Sequence, residues 1–275
     1  MLDYSIPIPA EYWNKTDKCG TLIDDSYAGK KLCIYTPCNY DPNQKYDIFY
    51  FKMGTNNPAR QFWTFSGQTS HFEYVIDNLI ARNEIKPCII VSIDGNAPNT
   101  GWLQDNAEGL IYYVEGKYST YLDKTKAKVI ESAPHRAVGG WSLGSIEVRT
   151  LLVNDKKNNF YKFFNWYDIQ SGYNAKNMNN IDPLPFVGCA AGSADDGGCI
   201  TFTKTCADYF AKNPALNKNT AQIVKGYKHY IKYQLNYFYN AIKYFFSVLY
   251  FINCSSPSGA KPICRVQLST GEVIC

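Results

Sequence analysis

This 275-residue sequence predicts an α/β fold with a mostly parallel central sheet flanked by helices, and three observations carry that expectation. Near-continuous apolar runs over 46–52, 87–94 and 163–169 read as strands buried on both faces. Segments with apolar residues at helical spacing alternate with these runs, as parallel crossovers require. The stretch His135-Arg-Ala-Val-Gly-Gly-Trp-Ser-Leu-Gly-Ser145 reads as a buried strand entering a Gly-x-Ser-x-Gly turn and then a helix.

The elements follow in chain order. Residues 1–32 mix Pro, Lys, Gly and Asp with isolated apolar positions, which predicts early edge strands and a turn at Asp24-Asp25-Ser26 before a strand over 31–35. The run 46–52 ends at Met53-Gly54-Thr55-Asn56-Asn57, a central strand stopping in a polar loop at the sheet edge where sites are built. Phe72, Val75, Ile76, Leu79 and Ile80 then mark a crossover helix over 70–83, with Ser70 as its N-cap. After the strand at 87–94, residues 95–105 read as a long loop and 108–121 as a helix.

Beyond the elbow, 163–169 and 186–191 read as strands, and the second ends in Gly192-Ser-Ala-Asp-Asp-Gly-Gly198. A helix near 203–212 leads to a short strand at 222–224. A long amphipathic helix follows, with Leu235, Phe238, Tyr239, Ile242, Phe246 and Leu249 on one face. Residues 254–275 carry three cysteines and little periodicity, the pattern of a stapled tail. There is no composition shift or internal repeat, so residues 1–275 are read as one domain.

Composition removes some function classes. The net charge of +4 comes from 28 basic and 24 acidic residues dispersed without a basic block, which argues against nucleic acid. No apolar run approaches the roughly 18 residues that span a bilayer, so no membrane role is expected. The ten cysteines include no CxxC pair and none has a histidine beside it in sequence. Disulfides in an oxidising compartment are the expectation, and no metal or other cofactor is. Cys33 and Cys38 stand too far apart on extended chain, at about 3.3 Å per residue, to bond to each other unless Thr36-Pro37 turns sharply. Two sequons, at Asn14 and Asn253, agree with secretion. No signal peptide precedes Leu2, so a mature or trimmed form is expected.

The elbow makes Ser142 the candidate nucleophile, its hydroxyl exposed at a turn where Gly140 and Gly144 have no Cβ to clash. A serine needs a base, and the chain has only three histidines. His135 lies about 20 Å away along the same extended backbone, which excludes it. His71 precedes the serine, whereas elbow hydrolases run Ser, then Asp or Glu, then His. His229, after the last strand, fits. Asp195, preferred to Asp196, ends a strand at the same sheet edge, while Asp168 sits inside one and Asp94 breaks the order. Oxyanion donors are expected from the N–H of Leu143 and from Gly54 and Thr55. Trp141 and Trp102 are candidate substrate contacts.

With Ser142, Asp195 and His229 in order, the chain resembles the feruloyl esterases of carbohydrate esterase family one, within the α/β-hydrolase superfamily. The resemblance runs from about Leu32 to Phe246. It rests on Val114-Glu-Gly-Lys-Tyr-Ser-Thr-Tyr121, His135 to Gly144, Gly192-Ser-Ala-Asp195, and the His229 segment followed by Tyr239-Asn-Ala-Ile-Lys-Tyr-Phe-Phe246. Two positions depart from the family pattern: Met53 stands where His is usual, and Ser145 where a second Gly often follows the elbow. The resemblance implies hydrolysis of ferulate or related hydroxycinnamate esters on arabinoxylan through an acyl-enzyme, without a metal, in a secreted enzyme or complex. An acetyl xylan esterase is the alternative within the same chemistry. A silent module that binds polysaccharide through its tyrosines is the alternative outside it.

Overall fold

The computed structural model describes residues 1–64, 71–95, 101–124, 129–153, 159–174, 178, 181, 185–253, 263–267 and 272–274, and side chains as far as 248. Eight strands form one sheet: β1 (Thr21–Tyr27), β2 (Lys30–Thr36), β3 (Asp47–Lys52), β4 (Cys88–Ile93), β5 (Arg136–Trp141), β6 (Trp166–Gln170), β7 (Phe186–Gly192) and β8 (Thr220–Val224). Their order is 1-2-4-3-5-6-7-8. β1 and β2 are antiparallel, and β4, β3, β5, β6, β7 and β8 run parallel, as the apolar runs predict. Five α-helices are described: α1 (Phe72–Ala81), α2 (Trp102–Lys117), α3 (Leu143–Leu152), α4 (Gly197–Lys212) and α5 (Ile231–Phe245).

Strand periodicity splits the core in two. In β3, Phe49 and Phe51 join Phe62, Phe72 and Phe238 on one face, while Ile48 and Tyr50 join Val91, Val114, Val138 and Val148 on the other. Both faces are dry, which is why these strands show no apolar-polar alternation. The Phe238 ring of α5 lies 4.6 Å from that of Phe49 and 4.8 Å from that of Phe62, and so fastens the last helix to the centre of the sheet.

Several boundaries differ from expectation for physical reasons. The turn between β1 and β2 falls at Ala28-Gly29, both at positive φ, while Asp24-Asp25-Ser26 lies inside β1. Ser70 lies outside the described residues, and His71 holds the N-cap position of α1. α2 begins at Trp102 rather than Glu108 because the Glu147 carboxylate, from α3, accepts the Leu103 N–H at 2.7 Å. That is a cap supplied across space, with no local signal. α4 begins at Gly197, capped by Asp196, whose carboxylate accepts the Gly198 N–H at 2.8 Å. The aromatic run before β6 opens as a 3-10 turn over Phe160–Phe163. In the tail, β9 (Leu249–Asn253), β10 (Ile263–Gln267) and β11 (Glu272–Ile274) form an antiparallel three-stranded sheet where little regular structure is expected.

The expected disulfides are not found among the described residues. Cys19, Cys33, Cys38, Cys88, Cys189, Cys199 and Cys206 are free thiols. Cys33 and Cys88 pack inside the core, and the Cys189 and Cys206 thiols hydrogen-bond each other. Buried thiols of this kind serve as small apolar side chains. Cys254 and Cys275 lie outside the described residues.

Arg136, which opens the elbow strand, is fully buried and pairs with Glu115 of α2: Nε donates to Oε1 at 2.6 Å and an Nη donates to Oε2 at 3.0 Å. The same guanidinium also donates to Ser132 Oγ and to the carbonyls of Val129 and Phe163. Removing one partner leaves an uncompensated buried charge. Glu115→Gln is expected to lower the unfolding free energy by about 3–5 kcal/mol, read by urea denaturation.

Candidate active site

Ser142 stands between β5 and α3 with φ 56° and ψ −121°, a left-handed conformation for a residue with a side chain. The chain tolerates it because its neighbours over-determine it. A Cβ on Gly144 would meet the Lys52 carbonyl oxygen at 2.1 Å, and one on Gly140 would meet the Gly144 backbone at 2.5 Å. Only glycines let strand, helix and the end of β3 approach so closely. The Ser142 N–H donates to the Gln170 carbonyl at 3.1 Å, which ties the turn to β6. Ser145 donates through its hydroxyl to the Ser142 carbonyl at 2.5 Å and through its N–H at 3.0 Å. The serine in place of a second glycine therefore fits and braces the turn.

The three predicted side chains meet. His229 Nε2 lies 3.0 Å from Ser142 Oγ, and His229 Nδ1 lies 2.7 Å from Asp195 Oδ1. Each comes from a loop at the carboxyl edge of the parallel strands: the elbow after β5, the loop after β7, and the loop between β8 and α5. Asp195 also accepts the Ser171 hydroxyl at 2.6 Å and the Asp196 N–H at 2.7 Å. Burial pushes its carboxyl up, but the hydrogen bonds from His229, Ser171 and Asp196 outweigh that and hold it at about 2. Asp195 is thus an ionised acceptor throughout the neutral range. Asp196 caps α4 instead, and Asp168 is buried under Tyr4, whose hydroxyl donates to it at 2.7 Å. His71 bonds Glu73 at 2.8 Å, and His135 bonds Asp47 at 2.7 Å and stacks on Tyr121.

The expected oxyanion elements border the serine. Leu143 is the first residue of α3, so its N–H has no acceptor within the helix. Gly54 packs over the elbow, since a Cβ there would lie 3.1 Å from that of Ser142. The loop is folded back by the Asn57 N–H donating to the Gly54 carbonyl at 3.1 Å, and it leaves Thr55 exposed. Met53 is fully buried and receives a hydrogen bond at its sulfur from Gln234, so this position puts no imidazole beside the serine.

Both candidate tryptophans are largely buried. Trp141 is 7% exposed, stacks on His229 with ring centroids 4.9 Å apart, and backs Gly54. Trp102 is 4% exposed, donates to the Ala28 carbonyl at 2.9 Å and packs on Tyr27, which leaves no face for a substrate. Two residues that the sequence does not point to also stand here: Ser171, which donates its hydroxyl to Asp195 from just beyond β6, and Cys199, which lies 3.8 Å from His229 Nδ1. Neither has a signal in sequence, because each reaches the site only through strand and helix packing. Lys52 is a third: fully buried, it donates to the Asp94 carbonyl and pairs with Glu147 at 3.7 Å, joining the end of β3 to α3.

The strand order, crossovers and elbow settle the architecture. The fold is that of the α/β-hydrolases. Among solved structures, the chain is similar to a mutant of the feruloyl esterase module from Clostridium thermocellum complexed with sinapinate. The TM-score is 0.74 with 23% identity, covering 88% of this chain and 93% of that one. It is also similar to a ferulic acid esterase from Anaeromyces mucronatus (TM-score 0.61, 17% identity, 88% and 97% covered). The enterobactin esterase of Shigella flexneri is more distant (TM-score 0.57, 12% identity, 83% and 59% covered). Among curated proteins, endo-1,4-beta-xylanase Y of Acetivibrio thermocellus is 31% identical over 156 residues, 54% of this chain. The chain spans 14% of that xylanase. No protein-family model matches.

Exchange at the two neighbouring aspartates separates acid from cap. Asp195→Asn is expected to cut kcat by about four orders of magnitude by offering the base the wrong tautomer. Asp196→Asn keeps the rate and, as asparagine also caps well, costs under about 1 kcal/mol in thermal denaturation. Because its carboxyl is held below the ordinary 3.8, Asp195 contributes stability that is intact above about pH 4 and lost as pH falls through about 2. Acid titration of the unfolding free energy of Asp195→Asn against wild type is expected to converge over that window.

Proposed function

We propose that this chain is a feruloyl esterase of carbohydrate esterase family one, a serine carboxylic-ester hydrolase that releases ferulate or related hydroxycinnamates from plant cell-wall arabinoxylan. The observation that carries the proposal is the Ser142–His229–Asp195 relay, with its 3.0 Å and 2.7 Å contacts, on a hydrolase elbow. The similarity to part of a xylanase and to solved feruloyl esterases supports the substrate class.

The geometry supports a two-step reaction. His229 Nε2 takes the Ser142 proton as Oγ attacks the ester carbonyl, and Asp195 stabilises the resulting imidazolium. The developing oxyanion is met by the Leu143 N–H and by backbone donors at Gly54 and Thr55. His229 returns the proton to the departing sugar hydroxyl, leaving an acyl-enzyme on Ser142. Water, deprotonated by the same imidazole, then releases the acid. No step calls on a metal. The protein is read as secreted, and as a module of a larger enzyme or complex, in keeping with its match to a fraction of a long xylanase. Feruloylated arabinoxylan and its oligosaccharide esters are the proposed partners. Acetyl xylan esterase activity is the second reading, since the same relay serves a smaller acyl group.

Wild type and Ser142→Ala, compared on methyl ferulate and acetylated xylan, test the proposal. Ferulate release by wild type with a loss of at least about 10³-fold in the variant is expected. Undiminished hydrolysis by the variant would remove Ser142 as nucleophile, and release of acetate alone would replace feruloyl with acetyl.

A further inference from the structure

In sequence the cysteines stand apart from the histidines, yet the fold brings one of each together behind the relay. Cys199 lies in the first turn of α4, with its sulfur 3.8 Å from His229 Nδ1 and 3.2 Å from the Ser171 carbonyl oxygen. Asp195 Oδ1 meets the same Nδ1 at 2.7 Å, and one ligand atom from each of the three residues lies within 4.8 Å of the other two. We propose that Asp195, Cys199 and His229 form an inhibitory site for a thiophilic divalent cation, zinc(II) foremost, which shuts the relay by taking its acid and its base as ligands.

Donor type and spacing both favour zinc. Carboxylate, thiolate and imidazole are the ligand types it takes, and tetrahedral bonds of about 2.0–2.3 Å set nitrogen and sulfur about 3.5 Å apart. The observed 3.8 Å needs little adjustment. The Asp195–His229 contact opens by less than about 1 Å to admit the ion. Magnesium and calcium seek six or more oxygens, which this cluster does not offer. The surroundings are polar and enclosed: Cys199 is fully buried and hydrogen-bonded to the Tyr173 hydroxyl. The buried Tyr237 hydroxyl, within electrostatic reach of Asp195 and Cys199, has no hydrogen-bond partner among the described residues.

The chemistry balances without a co-reactant. Three bonds form at zinc, to a carboxylate oxygen, Sγ and Nδ1, as five of the six waters of the hydrated ion leave and one stays in the fourth tetrahedral position. The Sγ–H proton goes to solvent, and the imidazole proton moves from Nδ1 to Nε2. His229 then presents an N–H to Ser142 where it needs a lone pair, and cannot take the hydroxyl proton.

The inference rests on the relay and not on the acyl group, so it is tested separately from the substrate. Residual hydrolysis of p-nitrophenyl acetate is measured against zinc for wild type, Cys199→Ala and Cys199→Ser, each relative to its own metal-free rate, with Cys19→Ala and Cys38→Ala as controls. Losing the thiolate ligand is expected to raise the half-inhibiting zinc concentration by about tenfold or more, while the controls follow wild type and magnesium has no effect. Equal inhibition of wild type and both Cys199 variants, or loss of inhibition in a control, would overturn the proposal. A direct readout needs no variant and no substrate. With three histidines in the chain, nitrogen-15 spectra of the imidazoles are expected to show zinc moving the His229 ring nitrogens. Unmoved His229 signals at millimolar zinc would overturn it as well.

Discussion

The site depends on one close approach of backbones. Ser142 can hold its left-handed conformation only where β5, α3 and the end of β3 touch without side chains between them, and Gly140 and Gly144 are the residues that make this possible. Once that contact is made, much else is fixed by geometry. Leu143 opens a helix, so its N–H is free of intrahelical bonding beside the serine, the loop after Lys52 lies alongside it, and the hydroxyl meets His229 from the loop after β8. Lys52 and Glu147, paired in the interior, join the same two segments from below, and Glu147 also caps α2. Strain at Ser142 is therefore held by the packing of β5, α3 and the end of β3 around it.

Electrostatics then select the partners. The carboxylates of Asp195, Asp168 and Asp94 all lie near the sheet, but their surroundings differ. Asp168 is buried without a counter-charge among the described residues, and burial raises it to about 7 despite hydrogen bonds from Tyr4 and Gln170. Asp94 is occupied by the N–H groups of Ala59 and Lys31. Of these three, only Asp195 meets a histidine among the described residues, and the hydrogen bonds around it favour its ionised form. The thiol of Cys199 sits beside this pair, pushed up to about 12 chiefly by burial, so on its own it is a protonated neighbour rather than a rival nucleophile.

Much of this was legible in the sequence. The parallel strands show themselves as unbroken apolar runs because both faces are covered, as Ile48 to Phe51 illustrate. The relay was legible because histidine is scarce: with three to choose from, chain order and strand length left His229. What stayed hidden depends on contacts far apart in sequence. The early start of α2 is set by Glu147, forty-four residues beyond Leu103. Trp102 falls in a stretch that the sequence reads as a long loop, yet it opens α2 and packs on Tyr27 as a core residue. The cysteine count suggested bridges, but seven of the ten side chains are described and each is a thiol, several of them packed as core atoms.

The central claim is that Ser142 carries the acyl group between two half-reactions. Rapid acid quench of the enzyme with a hydroxycinnamate ester, followed by peptide mass spectrometry, tests it most directly. A hydroxycinnamoyl adduct on the peptide containing Ser142, formed and lost at rates consistent with turnover, is the predicted result. An adduct on another residue, or turnover through an enzyme that never carries one when deacylation is slowed, would contradict it.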